Sequence, residues 1–112
     1  MKMNHVPELD LTRAAAAFAA LGSEQRLSVL RTLVRAGPDG LSIGVLGDRT
    51  GVMGSTLTHH VKILASAGLV TQARQGRSII CAAVAFDELQ GLSNFLLTEC
   101  CADSAEKDSR NG

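Results

Sequence analysis

The chain has 112 residues, of which 46% are hydrophobic, enough for one packed core and too many for a disordered protein. No apolar run approaches the roughly 20 residues needed to cross a bilayer. The first eleven residues hold charges and a proline but no apolar signal core, so we expect a cytoplasmic protein with no membrane partner.

The net charge is zero, but the charges are unevenly distributed along the chain. Residues 49–86 contain four basic side chains and no acidic one, whereas residues 87–112 contain six acidic and two basic side chains. A locally positive segment can attract a polyanion even when the whole chain is neutral. Chance segregation of charges in a short chain is the alternative explanation.

Capping residues and apolar spacing predict the first two helices. Asp10 or Thr12 can cap an alanine-rich helix that runs to Leu21. Ser23 can cap the second helix, with Glu24 in the first turn, where the helix dipole favours an acid. The inner face of the second helix is predicted to contain Leu27, Leu30, Leu33 and Val34.

Two further helices are predicted on either side of a tight turn. Ser42 can cap the third helix, and Gly51 ends it. Ser55 begins the fourth helix, in which apolar residues recur at i, i+4 and i+7 and should face inward. His60 lies partly on that inner side, so we interpret it as a packing residue. The predicted inward residues are Ile43, Val45 and Leu46 of the third helix and Leu57, Val61 and Leu64 of the fourth.

Gly68 is a stop signal for the fourth helix, and a β-hairpin follows it. Two β-tending runs, residues 69–73 and 78–84, flank Gln75-Gly76. A last helix is predicted over residues 86–100, with Leu89, Leu92 and Leu96 in register. We therefore expect an N-terminal arm (residues 1–9), one domain (residues 10–101) and a polar, disordered tail (residues 102–112).

The predicted fold is mainly α with a β-hairpin wing. Two short helices joined by a tight turn, the second of them polar on its outer face, form a helix-turn-helix. The hairpin after the second of these helices makes the unit a winged helix-turn-helix, with five helices and two strands.

Three ordered blocks resemble the ArsR/SmtB family of metal-responsive repressors. Residues 21–33, LGSEQRLSVLRTL, resemble its second helix; residues 55–70, STLTHHVKILASAGLV, its recognition helix; and residues 74–77, RQGR, its wing turn. The resemblance covers roughly residues 10–101. It implies a homodimer, joined through the first and last helices, that reads a palindromic operator in double-stranded DNA.

The predicted DNA contacts lie on the fourth helix and the wing. Side chains near the start of a recognition helix reach base edges in the major groove, and basic side chains contact phosphates. A solvated helix surface is the alternative for each single hydroxyl. We assign base edges to Ser55, Thr56, Thr58 and His59, and phosphates to Lys62, Arg74 and Arg77.

Two known effector sites of the family are absent from the sequence. The arsenic site of its founding members is a Cys-x-Cys pair in the helix before the recognition helix, but residues 42–47, SIGVLG, contain no sulfur. The family's zinc site on the last helix uses paired carboxylates and histidines, and residues 86–101 contain no histidine.

The three cysteines are the remaining candidates for an effector site. Cys100 and Cys101 are adjacent, so both thiolates can reach one thiophilic centre, and soft sulfur ligands select soft metalloids. The resemblance to members with a cysteine pair at the end of the last helix implies a sensor of trivalent arsenicals: arsenite, methylarsenite or antimonite. Cys81 either supplies a third sulfur ligand or is an ordinary buried thiol.

Three other functions compete with this interpretation. The same thiols could sense oxidants or persulfides, giving a redox-responsive repressor of the same fold. A thiol enzyme using Cys81 with His59 or His60 is disfavoured, because the chain has no glycine-rich phosphate loop and no Asp in its middle third to orient a histidine. A winged helix used only for protein contact is disfavoured by the positive segment. We therefore expect that the protein is not an enzyme and binds no catalytic cofactor.

Overall fold

The computed structural model describes residues 9–104, which form five helices and a three-stranded antiparallel sheet. The winged helix-turn-helix prediction is confirmed, with one additional short strand. In chain order the elements are α1 (Leu11–Ala20), α2 (Glu24–Ala36), β1 (Leu41–Ser42), α3 (Ile43–Thr50), α4 (Gly54–Ser66), β2 (Val70–Gln75), β3 (Ser78–Ala83) and α5 (Phe86–Leu97).

Three of the helices begin at the predicted capping residues. The Asp10 carboxylate accepts a hydrogen bond from the Arg13 backbone N–H at 2.8 Å. The Ser23 and Ser42 hydroxyls each accept one from the backbone N–H three residues later. Each cap satisfies a backbone donor that the helix leaves unpaired and contributes about 1 kcal/mol.

A single core lies between α2, α3, α4 and the sheet. It is aliphatic, as the composition predicted, and each fully buried Leu or Val contributes about 1.5–3 kcal/mol. The largest fully buried side chains are Leu33, Leu46, Leu64, Val29, Val61 and Cys81.

The inner face of α2 differs from the predicted one. Val29, Leu30 and Leu33 are buried, whereas Leu27 and Val34 are 44% and 49% exposed. Both sets fit helical spacing and share Leu30 and Leu33. The choice between them depends on where α3, α4 and β3 pack against the helix. On α3, Val45 is likewise exposed, while Leu46 is buried as predicted.

The strand β1 was missed because it has two residues and pairs only with a distant part of the chain. Leu41 lies opposite Cys81, and Ser42 lies opposite Ile80, so β3 is the central strand, with β2 on its other edge. Gly40 permits this pairing: it has a φ of 72°, and a Cβ there would clash with the Cys81 carbonyl oxygen.

The last helix ends earlier than predicted. α5 stops at Leu97, and the backbone turns through residues 98–101 before residues 102–104 become helical again. The remainder of the predicted arm and tail, residues 1–8 and 105–112, lies outside the described residues. Among residues 9–104, no helix has the length and apolar character required to cross a membrane.

Candidate nucleic-acid interface and thiol site

The helix-turn-helix consists of α3, residues 51–53 and α4. Gly51 ends α3 in the left-handed conformation, with its N–H bonded to the Gly47 carbonyl at 2.8 Å. Gly47 is buried where the two helices meet, and a Cβ there would lie 3.2 Å from the Val52 carbonyl oxygen and 3.4 Å from Leu57 Cδ2. The close approach of α3 and α4 therefore depends on the missing side chain at this position.

The helix α4 has one buried and one exposed face. Leu57, Val61 and Leu64 are buried as predicted, which fixes the rotation of the helix about its axis. At 100° per residue, Ser55, Thr58, His59 and Lys62 fall within an arc of about 100° on the opposite side. All four are exposed, and Thr56, about 60° beyond one end of that arc, is exposed as well. We call these five residues the polar stripe.

The first turn of α4 adds unpaired donors to the polar stripe. Met53 occupies the N-cap position without a side-chain cap, so backbone N–H groups there remain available to an anion. The Thr58 hydroxyl donates to the Gly54 carbonyl at 3.3 Å, which leaves its oxygen free to accept. Ser66 is exposed three turns after Ser55 and extends the stripe. It was not among the predicted DNA contacts, although helical periodicity places it on the same face.

The wing places its two arginines in solvent at the end of the hairpin. The strands β2 and β3 pair from Val70 with Ala83 to Gln75 with Ser78, leaving Gly76 and Arg77 as a two-residue turn. Gly76 has a φ of 61°, as tight hairpin turns require. Arg74 and Arg77 are exposed. Arg49, exposed in the last turn of α3, is a further basic side chain of the helix-turn-helix that the sequence analysis counted but did not assign.

His60 lies on the buried side of α4, as predicted, and joins a polar cluster with α2. Its Nε2 is 2.8 Å from Gln25 Oε1, and its Nδ1 is 3.4 Å from an Arg26 Nη1. The Nε of Arg26 donates to the Ala20 carbonyl at 2.5 Å. Burial, and then the charges of Arg26 and His59, lower the pKa of His60 below its usual range.

The two adjacent cysteines lie in the turn after α5, which we call the cysteine turn (residues 98–101). Their Sγ atoms are 2.8 Å apart and both residues are exposed. Successive side chains of a regular helix diverge by about 100°, so this contact depends on the backbone of Cys101, which has a φ of 68°. The hydrogen bond with Cys101, with a smaller effect of desolvation, raises the pKa of the Cys100 thiol.

Cys81 lies apart from this pair in the central strand β3. Its side chain is fully buried in the core, and burial raises the pKa of its thiol. Within residues 9–104, no three His, Cys, Asp or Glu side chains are grouped as a metal ion would require. The structure therefore brings together Cys100 and Cys101 but not the proposed third sulfur ligand.

A groove of about 820 Å³ is lined by residues of α1, α5 and the turn after α4, and Cys100 is among its lining residues. The first and last helices were expected to form the dimer interface, but Ala14 and Ala17 of α1 and Leu92 of α5 are already buried within the single chain. Phe18 and Leu96 remain 38% and 66% exposed. The large apolar side chains exposed on α1 and α5 are Leu11, Phe18, Phe86, Leu96 and Leu97.

Known proteins with related sequences are transcriptional regulators. Residues 21–73 match the helix-turn-helix domain family. The chain is 36% identical over 61 residues to YceK of Bacillus subtilis, an uncharacterized HTH-type transcriptional regulator; the match covers 54% of this chain and 60% of YceK. The chain thus spans less than two thirds of that relative.

Solved structures share the fold over most of the chain. An ArsR-like transcriptional regulator from Rhodococcus sp. RHA1 is 27% identical, covers 88% of this chain and 89% of its own, and gives a TM-score of 0.69. The homodimeric winged helix-turn-helix DNA-binding domain of a possible ArsR-family regulator from Mycobacterium bovis is 23% identical, covers 88% and 85%, and gives a TM-score of 0.63. The related proteins are regulators rather than enzymes, and this chain is similar to ArsR-like regulators and shares their winged helix-turn-helix fold.

Proposed function

We propose that this protein is a homodimeric, cytoplasmic DNA-binding repressor that releases its operator when a trivalent arsenical binds Cys100 and Cys101. One observation carries the DNA-binding part: the polar stripe of α4 is exposed opposite a fully buried face, next to a hairpin with two exposed arginines. Residues 10–101 act as one domain that holds both the reader and the sensor, with residues 1–9 as an arm and residues 102–112 as a tail.

The polar stripe reads DNA through two kinds of contact. Ser55, Thr56, Thr58 and His59 contact base edges in the major groove, where hydroxyls and imidazoles can donate or accept. Lys62, Arg74 and Arg77 contact phosphates, and the uncapped first turn of α4 adds backbone N–H donors. The absence of acidic residues between positions 49 and 86 removes the local repulsion that a polyanion would meet.

A second copy of the chain covers the apolar side chains of α1 and α5. Five large apolar residues on these helices are between 38% and 74% exposed in the single chain. Burying each Leu or Phe stabilises an interface by about 1.5–3 kcal/mol. Two copies related by a twofold axis present two copies of α4 to two operator half-sites, as a palindrome requires.

The cysteine turn suits a trivalent arsenical with two open positions. Methylarsenite carries one methyl group and two hydroxyls; each hydroxyl leaves as water with a thiol proton, and two sulfur–arsenic bonds form. Two sulfurs already in contact meet this demand without the buried Cys81. Arsenite and antimonite bind the same pair and retain one hydroxyl. Binding then shifts the dimer towards a DNA-free arrangement, by no more than the ligand's differential affinity for the two states.

Operator binding tests this proposal directly. A fluorescent duplex from the region upstream of the protein's own gene is titrated with protein at 50 and 200 mM salt, and then with arsenite and methylarsenite. We expect binding to weaken steeply with salt, and both arsenicals to release wild-type protein. Salt-insensitive binding, or no binding to any duplex of that region, would contradict the DNA-reading role.

Serine variants separate the sensor from the reader. Cys100→Ser and Cys101→Ser should bind the duplex as wild type does and resist both arsenicals. Cys81→Ser should still respond to methylarsenite. If it loses the arsenite response alone, a third sulfur ligand contributes; if the double variant of Cys100 and Cys101 still releases DNA, the effector site lies elsewhere.

The contact between the two thiols also favours a second candidate function, a redox-responsive repressor. A peroxide would oxidise the pair to a disulfide, the two sulfurs giving up two electrons and two protons while the O–O bond is reduced to two water or alcohol products. Release of DNA by peroxide without any arsenical, reversed by dithiothreitol, would support this candidate. Release by methylarsenite under anaerobic reducing conditions would support the arsenical sensor.

A further inference from the structure

We infer that Arg26 and His60 are positioning residues, forming a relay that fixes the recognition helix α4 to the end of helix α1. We call the Ala20 carbonyl, Arg26, His60 and Gln25 the Arg26 relay. The inference rests on the proposed function in taking α4 as the reader and α1 as part of the dimer interface. It adds a physical connection between the two.

The Arg26 guanidinium contacts two elements besides its own helix. Its Nε donates to the Ala20 carbonyl in the last residue of α1, while an Nη1 lies 3.4 Å from His60 Nδ1 on α4. The guanidinium serves the two acceptors from two different nitrogens, whereas the three N–H donors of a lysine all lie on one terminal nitrogen and cannot reproduce this fork. Arg26 thus holds α1 and α4 in one relative position from a site on α2.

His60 completes the connection and fixes its direction. Gln25 Oε1 can only accept, so the Nε2 of His60, 2.8 Å away, carries the proton and donates. The Nδ1 is then a free acceptor for Arg26. His60 is the one polar residue among the buried side chains of residues 9–104, and no buried side-chain polar atom there lacks a partner.

His60 belongs to the same helix as the proposed DNA-contacting residues, so the Arg26 relay can affect their position. It follows His59 directly and lies roughly opposite the centre of the arc formed by Ser55, Thr58, His59 and Lys62. Loss of the relay leaves the apolar contacts of Leu57, Val61 and Leu64, which resist separation of the helices but offer no directional bond. We therefore expect small rotations or shifts of α4 to become accessible, with a loss of operator affinity.

Arg26→Lys tests the relay while keeping the charge. Because bonds to a charged donor are the stronger kind, we expect operator affinity to fall about tenfold, with the chain still folded by circular dichroism. Arg31→Lys makes the same replacement at an exposed position of the same helix and should stay within about twofold of wild type. Equal affinities for the two variants would overturn the relay.

A second variant distinguishes one connected relay from two independent contacts. His60→Gln alone should also weaken the operator complex about tenfold, because the shorter amide cannot reach Arg26 and Gln25 together. The double variant with Arg26→Lys should then lose about tenfold in total, not about a hundredfold, since both changes break the same connection. Independent, multiplying losses would contradict it.

The pH profile gives a readout that a purely structural contact would not move. Protonated His60 would point an N–H at the Arg26 guanidinium, so acid should break the relay. Arg26 of α2 and His59 of α4 are the titratable groups that act on His60. The affinity advantage of wild type over His60→Gln should be present at pH 8 and disappear as the pH falls below 6.5. Both proteins contain His59, so any effect of His59 on DNA binding is common to them and drops out of the affinity ratio. A constant ratio would count against the relay.

A measurement without DNA keeps the inference separate from the proposed function. Amide hydrogen exchange should be about tenfold faster in the first two turns of α4 for Arg26→Lys than for Arg31→Lys. If exchange changes in this way but no duplex binds, the DNA-reading proposal fails and the relay stands. If wild type binds its operator and exchange in α4 is unchanged in Arg26→Lys, the relay fails and the proposed function stands.

Discussion

The recognition helix and the cysteine turn are built in opposite ways. α4 packs on the core through three fully or nearly fully buried aliphatic side chains and His60, so the positions of its exposed residues are fixed. The cysteine turn has no buried side chain, and its two thiols meet because the backbone of Cys101 has a positive φ. The proposed DNA reader needs fixed geometry, whereas the proposed sensor must rearrange around its ligand at low cost, and the two regions match these proposed roles.

Labelling the thiols is the strongest test of this difference between the closed core and the exposed cysteine turn. Because Cys81 is fully buried and reacts only after the core opens, it should react with N-ethylmaleimide at least about a thousandfold more slowly than Cys100 or Cys101. Mass spectrometry of timed samples measures the three rates. In 6 M guanidinium all three should react alike; a native Cys81 as fast as the others would show that the core is not closed.

Stability variants give the next largest effect. Leu64→Ala removes a fully buried side chain beneath α4 and should lower the free energy of unfolding by about 2–5 kcal/mol. Glu99→Ala, in the exposed cysteine turn, should change it by about 0.5 kcal/mol or less. Urea unfolding followed by circular dichroism compares the two. Similar losses would mean that the cysteine turn is as much a part of the folded unit as α4.

Charge variants sharpen the reader side of the comparison. Lys62→Gln removes the proposed phosphate contact from each chain, so the slope of log affinity against log salt should become shallower by about 0.9 per lost contact. Arg35→Gln removes an equal charge from an exposed position of α2 and serves as the control. Anisotropy titrations from 50 to 200 mM salt report both slopes. Identical slopes for the two variants would assign the salt dependence to overall charge and not to α4.

The smallest expected effect is the pH dependence of stability. The pKa of His60 is lowered in the folded chain, so the unfolded chain binds more protons. The stability that neutral His60 provides is therefore complete above its unfolded pKa of about 6.5 and is lost as the pH falls through the lower folded value. Urea unfolding of wild type and His60→Gln between pH 8 and pH 5 measures it. The wild-type curve should fall more steeply at the acid end; parallel curves would contradict this.

Local signals in the sequence predicted most of the fold. The caps at Asp10, Ser23 and Ser42 and the stop at Gly51 are decided by neighbouring residues, and the structure has all four. What failed depends on distant partners. The strand β1 exists only because β3 lies beside it, and the buried edge of α2 is chosen by the helices that pack on it.

The candidate sites also differ in whether local sequence signals predicted their geometry. Exposure of the polar stripe followed from helical periodicity, because the apolar residues on the other side fix the rotation of α4. Adjacency in the sequence predicted that Cys100 and Cys101 can reach one centre, but it did not predict the geometry. Residues at the end of a regular helix would point apart, and the observed contact depends on the positive φ of Cys101. The Arg26 relay joins residues 34 positions apart, beyond any local pattern.

The position of the cysteine turn also bears on how such a protein can change over generations. Substitutions in a segment that contributes nothing to the core cost little folding stability, so this segment can accumulate new ligands while the reader stays intact. If the thiols sense the effector as proposed, replacing them by other donor groups would change the signal without redesigning the proposed DNA-facing helix. For anyone building a biosensor on this scaffold, residues 98–101 are the place to randomise.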